Sequence, residues 1–296
     1  MGKRLTYQSG WSMAALPSIS TASAPARAIV IFDIDGVIRD VSASYRRAIV
    51  ATVRHFSGWS PEPSTIDILK GEGRWNNDWE ASLELLRRHR AQPGRGESLP
   101  SLEEVVEVFS GFYFGGDPSG SPALWRGFIR EEPLLVESGF FQDLSGAGVA
   151  WGFVSGAEQP SARFLLEERL GLRNPPLVAM GDAPEKPDPT GFLALAERLA
   201  AERGQTLGPD GPPVAYLGDT VADVETVRRA RERRPEQPFV ALAVSPPHLH
   251  PPERAEQRRA YEERLLAAGA DHLLERTAAL GEDPLGLLNA PLAPGG

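Results

Sequence analysis

Two hydrophobic patterns occupy different parts of this chain. Residues 29–32 are β-branched or aromatic without a polar interruption, which is typical of a central strand of a parallel sheet buried on both faces. Beyond residue 133, similar short apolar runs at 150–154, 177–180, 214–217 and 239–244 alternate with helical patterns near 158–170, 190–203, 221–233 and 253–268. This alternation predicts βα units and a parallel sheet.

The region between these two parts is helical in pattern. Apolar residues recur at helical spacing from Val41 to Phe56, and Gly58 ends the segment. Further helices are expected near 64–71, 76–90, 101–114 and 122–130, separated by loops rich in proline, glycine and serine. We therefore predict an α/β fold in which a Rossmann-like parallel sheet core, residues 29–41 and 133–296, carries an inserted α-helical cap, residues 42–132.

Composition limits the cellular setting. The net charge of −9 argues against a nucleic-acid or anionic-membrane partner, and the chain has no apolar run long enough to span a membrane. It also has no cysteine, which excludes disulfides and thiolate chemistry and makes a cytoplasmic protein the default expectation. A monomer or a homodimer is expected. Residues 1–28 are expected to be a disordered tail, with a start codon placed too early or an organelle-targeting segment as alternatives.

The first strand ends in two carboxylates. Asp33 and Asp35 follow it directly, and Gly36 then allows a sharp turn. Because ligands bind at the carboxyl ends of strands in open α/β sheets, these acids are expected at the floor of a site, where a hard cation such as Mg²⁺ would neutralise them. Asp33 is the candidate nucleophile and Asp35 the candidate general acid and base. Taken alone, the motif fits a solvated turn equally well.

Three later strands also lead into polar residues. Ser155 and Gly156 suit a phosphate oxygen, and Lys186, in a chain that otherwise uses arginine almost everywhere, suits the charge of a transferring phosphoryl group. Asp219 is expected to bind the metal directly, and Asp223 to bind it through water or to orient the lysine. The alternatives are an ordinary turn for Ser155, a surface salt bridge for Lys186, and an N-cap with a helical acid for the aspartates.

A segment of the helical region is rich in aromatic and amide side chains. Trp75, Asn76, Asn77 and Asp78 lie at an expected helix start that follows two glycines. These residues are candidates for contacts to the leaving group of a substrate on a closing lid. The alternative is structural: the tryptophan packs the cap, and an asparagine caps the helix.

The ordered set of Asp33-x-Asp35-Gly, Ser155-Gly156, Lys186-Pro187 and Gly218-Asp219-x-x-x-Asp223 resembles the four motifs of the haloacid dehalogenase superfamily, over residues of about 29 to 245. The resemblance implies a Rossmann-like core, an aspartyl-phosphate intermediate, and Mg²⁺ held by Asp33, the Asp35 carbonyl and Asp219. True dehalogenases of this superfamily lack the second aspartate of the first motif, so halide removal is not expected here.

These observations predict an Mg²⁺-dependent phosphatase of the haloacid dehalogenase type that acts on a small phosphorylated metabolite. A phosphomutase of the same fold is the nearest alternative, because its first half-reaction uses the same residues. A binding protein that retains the fold without turnover is the third.

Overall fold

The computed structural model describes residues 24–72, 74–75, 77–91 and 98–289, and these form a sheet flanked by helices. The sheet has six strands in the order β3-β2-β1-β4-β5-β6, and all neighbouring strands are parallel. The strands are Ala28–Phe32 (β1), Val149–Val154 (β2), Leu177–Val178 (β3), Val214–Gly218 (β4), Phe239–Val244 (β5) and His272–Leu274 (β6). The predicted α/β Rossmann-like fold is confirmed.

β1 lies at the centre of the sheet and is buried along its whole length. Its side chains alternate between the two faces, because successive residues of a strand point in opposite directions. Val30 and Phe32 pack into the hydrophobic cluster on one face, whereas Ile29 and Ile31 pack into the cluster on the other. Helices cover both faces of the sheet, and this is why β1 consists of apolar residues without interruption.

The first four helices after β1 enclose a hydrophobic core of their own. They are Ser42–Ser57 (α1), Pro63–Gly71 (α2), Asp78–Arg90 (α3) and Leu102–Phe114 (α4). Residues including Val53, Leu85 and Phe109 form this third cluster, separate from the two that flank the sheet. Ser101 begins α4 with a capping box, in which its hydroxyl accepts from the Glu104 backbone N–H and the Glu104 carboxylate accepts from the Ser101 backbone N–H.

The prediction of a helix over residues 122–130 is wrong. Two short 3₁₀ turns, Pro122–Leu124 and Phe128–Glu131, take its place. Between them the chain folds back on the end of α4, where the backbone N–H groups of Arg126 and Gly127 both donate to the Phe114 carbonyl. A continuous helix would forgo these bonds.

The remaining helices flank the sheet or follow its last strands: Phe140–Gly146 (α5), Gln159–Arg163 (α6), Thr190–Ala201 (α7), Val221–Arg233 (α8), Ala255–Ala267 (α9) and Pro284–Asn289 (α10). A π-helical segment, Phe164–Arg169, continues α6, so the predicted helix near 158–170 is helical throughout but not uniformly α. The predicted strand at 177–180 is shorter, and Met180 forms only an isolated bridge with Ala183.

Residues at both ends of the described chain belong to the buried core. Ala26 is buried, its backbone N–H donates to the Gln205 side chain at 2.7 Å, and Ala28 already belongs to β1. Residues 1–23 of the expected tail lie outside the described part of the chain. At the other end, β6 extends the sheet beside β5. In the described ranges, no helix has the length and apolar character of a membrane span.

Candidate active site

The sheet order brings three of the predicted motifs together. β1 pairs with β2 on one side and with β4 on the other, so residues that follow these strands lie at one edge of the sheet. Asp33 follows β1, Ser155 follows β2 and Asp219 follows β4. The Asp33 backbone N–H also donates to the Leu217 carbonyl at 2.9 Å, which fixes the first aspartate against the end of β4.

Asp33, Asp219 and Asp223 form a buried cluster whose carboxylate oxygens lie within 4.8 Å of one another. Burial, opposed by Lys186, raises the pKa of Asp33 to about 6, and burial together with the neighbouring Asp223 and Asp33 raises the pKa of Asp219 well above its usual value. Asp33 Oδ1 is buried and has no hydrogen-bond partner. Hard oxygen donors with unneutralised charge fit a divalent cation such as Mg²⁺.

Lys186 joins two of these aspartates. Its Nζ lies 3.0 Å from Asp33 Oδ2 and 2.6 Å from Asp223 Oδ1. Burial alone lowers the pKa of Lys186, but Asp223 and Asp33 outweigh it and raise the pKa well above its ordinary value. The ammonium group is therefore charged and aimed at the first aspartate. Tyr216 adds a third contact at 3.3 Å, while its own hydroxyl donates to the Val154 carbonyl.

Both oxygens of Asp223 are occupied within the protein. Oδ1 accepts from Lys186, and Oδ2 accepts from the backbone N–H and the hydroxyl of Thr220 at 2.9 and 2.6 Å. The bond from the Thr220 backbone N–H belongs to the capping box that begins α8. Of the two roles predicted for Asp223, this arrangement favours the orientation of the lysine over a place among the metal ligands.

Asp219 is held by its surroundings on two sides. Gly36, at φ +78°, lies so close that a Cβ there would overlap the Asp219 carboxylate. On the other side, the Tyr261 hydroxyl of α9 donates to the Asp219 carbonyl at 2.9 Å. The sequence indicated Gly36 only as a turn, and it contained no signal for Tyr261, because α9 is remote from the motifs along the chain.

The Asp35 carboxylate faces a buried arginine. Arg39 is fully buried, and its Nε donates to Asp35 Oδ1 at 2.7 Å. The same guanidinium donates to Ser161 Oγ at 2.8 Å and lies 3.0 Å from Glu132 Oε2. The Asp35 side chain is thus held in place by an ion pair with a buried arginine. Arg39 was not predicted, although a charged residue between Ile38 and Asp40 was a visible signal.

The Arg39 contacts also join the sheet region to the four-helix segment. Glu132 Oε1 accepts from Ser44 Oγ of α1 at 2.6 Å and from the Tyr113 hydroxyl of α4 at 3.0 Å. Glu132 precedes the return to the core, where the Asp40 backbone N–H donates to the Pro133 carbonyl. Both chain connections between the two regions therefore meet at this network.

Ser155 and Gly156 line a cavity of about 450 Å³ that also borders Asp33, Asp35 and Lys186. Ser155 is buried, and its Oγ accepts a hydrogen bond from the Ala157 backbone N–H at 3.2 Å. The hydroxyl proton is thus available to a ligand, because this bond uses only the oxygen lone pair.

Two of the predicted cap residues reach the same cavity. Asn77 and Asp78 line it, whereas Trp75 packs against the hydrophobic cluster of the helical segment, and Asn76 lies outside the described residues. Asn77 begins α3, and its Oδ1 accepts from the backbone N–H groups of Trp79 and Glu80. Asp78 forms an ion pair with Lys70 at 2.6 Å.

The parallel sheet and the carboxylates clustered at its edge are typical of α/β enzymes with a Rossmann-like core, and a comparison with known families identifies which family this is. A model of the haloacid dehalogenase-like hydrolases matches residues 28–231. The chain belongs to this family, so the predicted family and the prediction of an enzyme of this type are confirmed.

Two solved structures share the fold. A phosphatase from Thermococcus thioreducens is 23% identical, with a TM-score of 0.53, over 72% of this chain and 92% of that one. A putative β-phosphoglucomutase from Thermotoga maritima is 19% identical, with a TM-score of 0.53, over 88% of this chain and 97% of that one.

A curated relative is much longer than this chain. It is an imidazoleglycerol-phosphate dehydratase from Phytophthora nicotianae, 31% identical over 213 residues. The match covers 70% of this chain and 42% of the relative, so the chain spans about two fifths of that protein's length.

Proposed function

We propose that this chain is a metal-dependent phosphatase that hydrolyses a small phosphorylated metabolite, with Asp33 as its nucleophile. The observation that carries the proposal is the position of Asp33 between Lys186, 3.0 Å away, and the Asp219 carboxylate, with its Oδ1 unpartnered. A carboxylate in this setting can receive a phosphoryl group and form an acyl phosphate.

The residues divide the reaction into two steps. In the first, an Asp33 carboxylate oxygen bonds to phosphorus, the bond to the alcohol oxygen breaks, and Asp35 gives that oxygen a proton. In the second, Asp35 takes a proton from water, the water oxygen bonds to phosphorus, and Asp33 is released with inorganic phosphate. Arg39 holds the Asp35 carboxylate in place in both steps.

Positive charge at the phosphoryl group comes from two sources. Lys186 supplies one, and Asp223 holds its ammonium group in position at 2.6 Å. Asp33 and Asp219, together with the Asp35 carbonyl, would hold Mg²⁺, which when bound neutralises the buried carboxylates and the substrate dianion. Ser155 and the Gly156 backbone N–H, which line the same cavity, bind a phosphate oxygen.

We also propose that residues 42–132 act as a cap over residues 26–41 and 133–289. Asn77 and Asp78 of this segment line the cavity that borders Asp33, so movement of the helices would open and close access to it. Expectations of a cytoplasmic location, of a monomer or homodimer, and of no nucleic-acid partner remain part of this proposal, based on charge and on the lack of cysteine.

A phosphomutase is the second candidate, because a putative β-phosphoglucomutase shares the fold. The two functions differ in the fate of the acyl phosphate. A phosphatase admits water to it, whereas a mutase returns the phosphoryl group to the substrate.

The proposal is tested by incubating the chain with a panel of phosphate monoesters, with and without Mg²⁺, and following both inorganic phosphate and isomer formation. The panel includes imidazoleglycerol phosphate, because that compound appears in the name of the curated relative. We expect phosphate release from at least one ester, only with a divalent cation. Isomer formation without phosphate release would favour the mutase, and full activity after exhaustive chelation would contradict the metal requirement.

A further inference from the structure

The cavity beside Asp33 has an aromatic wall on the side of the helical segment. Tyr45, Trp79, Phe109 and Tyr113 line it there. The Tyr45 and Tyr113 rings are stacked with their centroids 4.8 Å apart, so these two rings of the wall pack directly against each other. Such a surface suits a planar or a cationic group, because the faces of aromatic rings carry negative electrostatic potential.

The charges around this cavity are unbalanced. Among the described residues that line it, Lys186 is the one cationic side chain, and it already contacts Asp33 and Asp223. Several carboxylates line the cavity, and two of them are neutralised elsewhere: Asp78 by Lys70, and Asp188 by Arg233. A second anionic group on a substrate would find no free cation on this wall.

Two further carboxylates line the cavity, Glu158 and Glu185, and neither forms an ion pair among the described residues. Glu185 is exposed to solvent, whereas Glu158 is partly buried and precedes α6 three residues after Ser155. Burial is the cause of its raised pKa, and no neighbouring cation counteracts the effect. A partly desolvated carboxylate is stabilised when a cation binds beside it.

An adjoining cavity of about 420 Å³ does not supply the missing positive charge. It also borders Asp33 and Asp35, and Arg46 and Lys70 line it. Each of these cations is held by an acid, because Arg46 pairs with Asp67 at 2.5 Å and Lys70 pairs with Asp78.

We infer that the substrate is a phosphate monoester whose alcohol part carries a nitrogen cation, an amine or a protonated nitrogen ring, and that Glu158 binds this cation against the aromatic wall. The inference rests on the proposed phosphatase function and deepens it. Esters with a second phosphate or a carboxylate are disfavoured, because Glu158 repels them. The same reasoning counts against a mutase that must hold two phosphoryl groups.

A matched substrate series tests the inference. Phosphate monoesters of short aminoalkyl, hydroxyalkyl and carboxyalkyl alcohols of equal chain length differ mainly in charge, and several chain lengths cover the unknown reach to Glu158. We expect kcat/KM to fall in the order cationic, neutral, anionic, with roughly ten-fold or more between the first two at the best length, since a hydrogen bond to a charged group is worth about that factor.

Two variants assign the preference to its residue. Glu158→Gln is expected to bring the ratio of kcat/KM for cationic and neutral esters close to one, whereas Glu168→Gln, at an exposed glutamate of the π-helical segment that continues α6, is expected to keep the wild-type ratio. A preference for anionic esters, or an unchanged ratio in Glu158→Gln, would overturn the inference while leaving the phosphatase function intact. Failure to hydrolyse any ester of the series or of the wider panel would instead count against the function itself.

Discussion

Three buried carboxylates share the cleft with one ammonium group, which contacts two of them, and this excess of negative charge explains most of the local structure. Asp33 and Asp219 have raised pKa values because burial penalises their ionised forms. Lys186 offsets part of the repulsion. The remaining negative charge favours the binding of a cation in the cleft. Gly36, which has no side chain, leaves space beside the Asp219 carboxylate.

A substitution at Gly36 tests whether the space beside the Asp219 carboxylate is needed for activity. Gly36→Ala is expected to lower kcat roughly ten- to a hundred-fold, because the new methyl group displaces Asp219 from the position in which it would hold the metal. The measurement is phosphate release over a range of Mg²⁺ concentrations.

Gly58→Ala is a matched control. Gly58 has a similar φ of +70° but has no atoms within 4 Å of an added Cβ. Both variants therefore share a conformational penalty of about 1 to 2 kcal/mol, and only Gly36→Ala crowds the site. Equal activity in the two variants would show that the close approach to Asp219 has no functional role.

The spacing of single residues indicated that the motif acids meet at one edge of the sheet, but it did not indicate their partners. Asp33, Asp35 and Asp219 follow apolar strands, and parallel strands bring such positions to one edge of a sheet. Arg39 and Tyr261 act through contacts made only after folding. Tyr261 lies 42 residues from Asp219 along the chain, so no local pattern could connect them.

The beginning of α3 lines the cavity. Asn77 caps the helix through its Oδ1 and also lines the cavity. The structural and functional interpretations of this segment are therefore compatible, and a substitution that separates them is needed.

Asn77→Ser provides that separation. Serine retains an N-cap acceptor but removes the amide N–H₂ donor, so the melting temperature should stay close to that of the wild type. If the amide contacts the leaving group, kcat/KM for the best substrate should fall roughly ten-fold, since a lost buried polar contact costs about 1 to 3 kcal/mol.

Asn77→Ala completes the comparison, because it removes the cap as well and should lower the melting temperature. Wild-type kcat/KM in Asn77→Ser, together with a lower melting temperature in Asn77→Ala, would show that Asn77 only stabilises the helix.

At the scale of elements, periodic helices and strands were predictable, and irregular segments were not. α1, α7 and α8 follow the expected spacing, because their apolar faces pack on one side. The prediction of a helix over 122–130 was wrong because backbone N–H groups of this segment donate to the end of α4. This tertiary contact overrides the local preference for a helix.

The C-terminal segment, residues 272–289, packs into the core of the molecule, although it lies outside the sequence motifs. β6 extends the sheet, the Thr277 hydroxyl donates to the Val37 carbonyl at 2.7 Å, and Leu280 is buried in the cluster that also holds Phe32. This segment thereby supports the loop that carries Asp35 and Gly36. Sequence patterns missed it because its strand is short and its helices are brief.

Leu280→Ala is expected to lower the free energy of unfolding by about 2 to 5 kcal/mol, because it leaves a cavity in a packed core. Urea or thermal unfolding measures the change. Leu266→Ala, at a leucine of α9 that is 48% exposed, is the control and should have little effect. Comparable small changes in both variants would mean that the C-terminal segment is not part of the core.

The central claim is that Asp33 performs the chemistry, and the most direct measurement compares phosphate release by the wild type, Asp33→Asn and Asp210→Asn under saturating Mg²⁺. Asp33→Asn should lose activity roughly a thousand-fold or more, because an amide cannot attack phosphorus. Its melting temperature should be maintained, since the substitution removes a buried charge. Asp210 is exposed, and its variant should match the wild type. An Asp33→Asn variant that is folded and keeps a tenth or more of the wild-type rate would contradict the account.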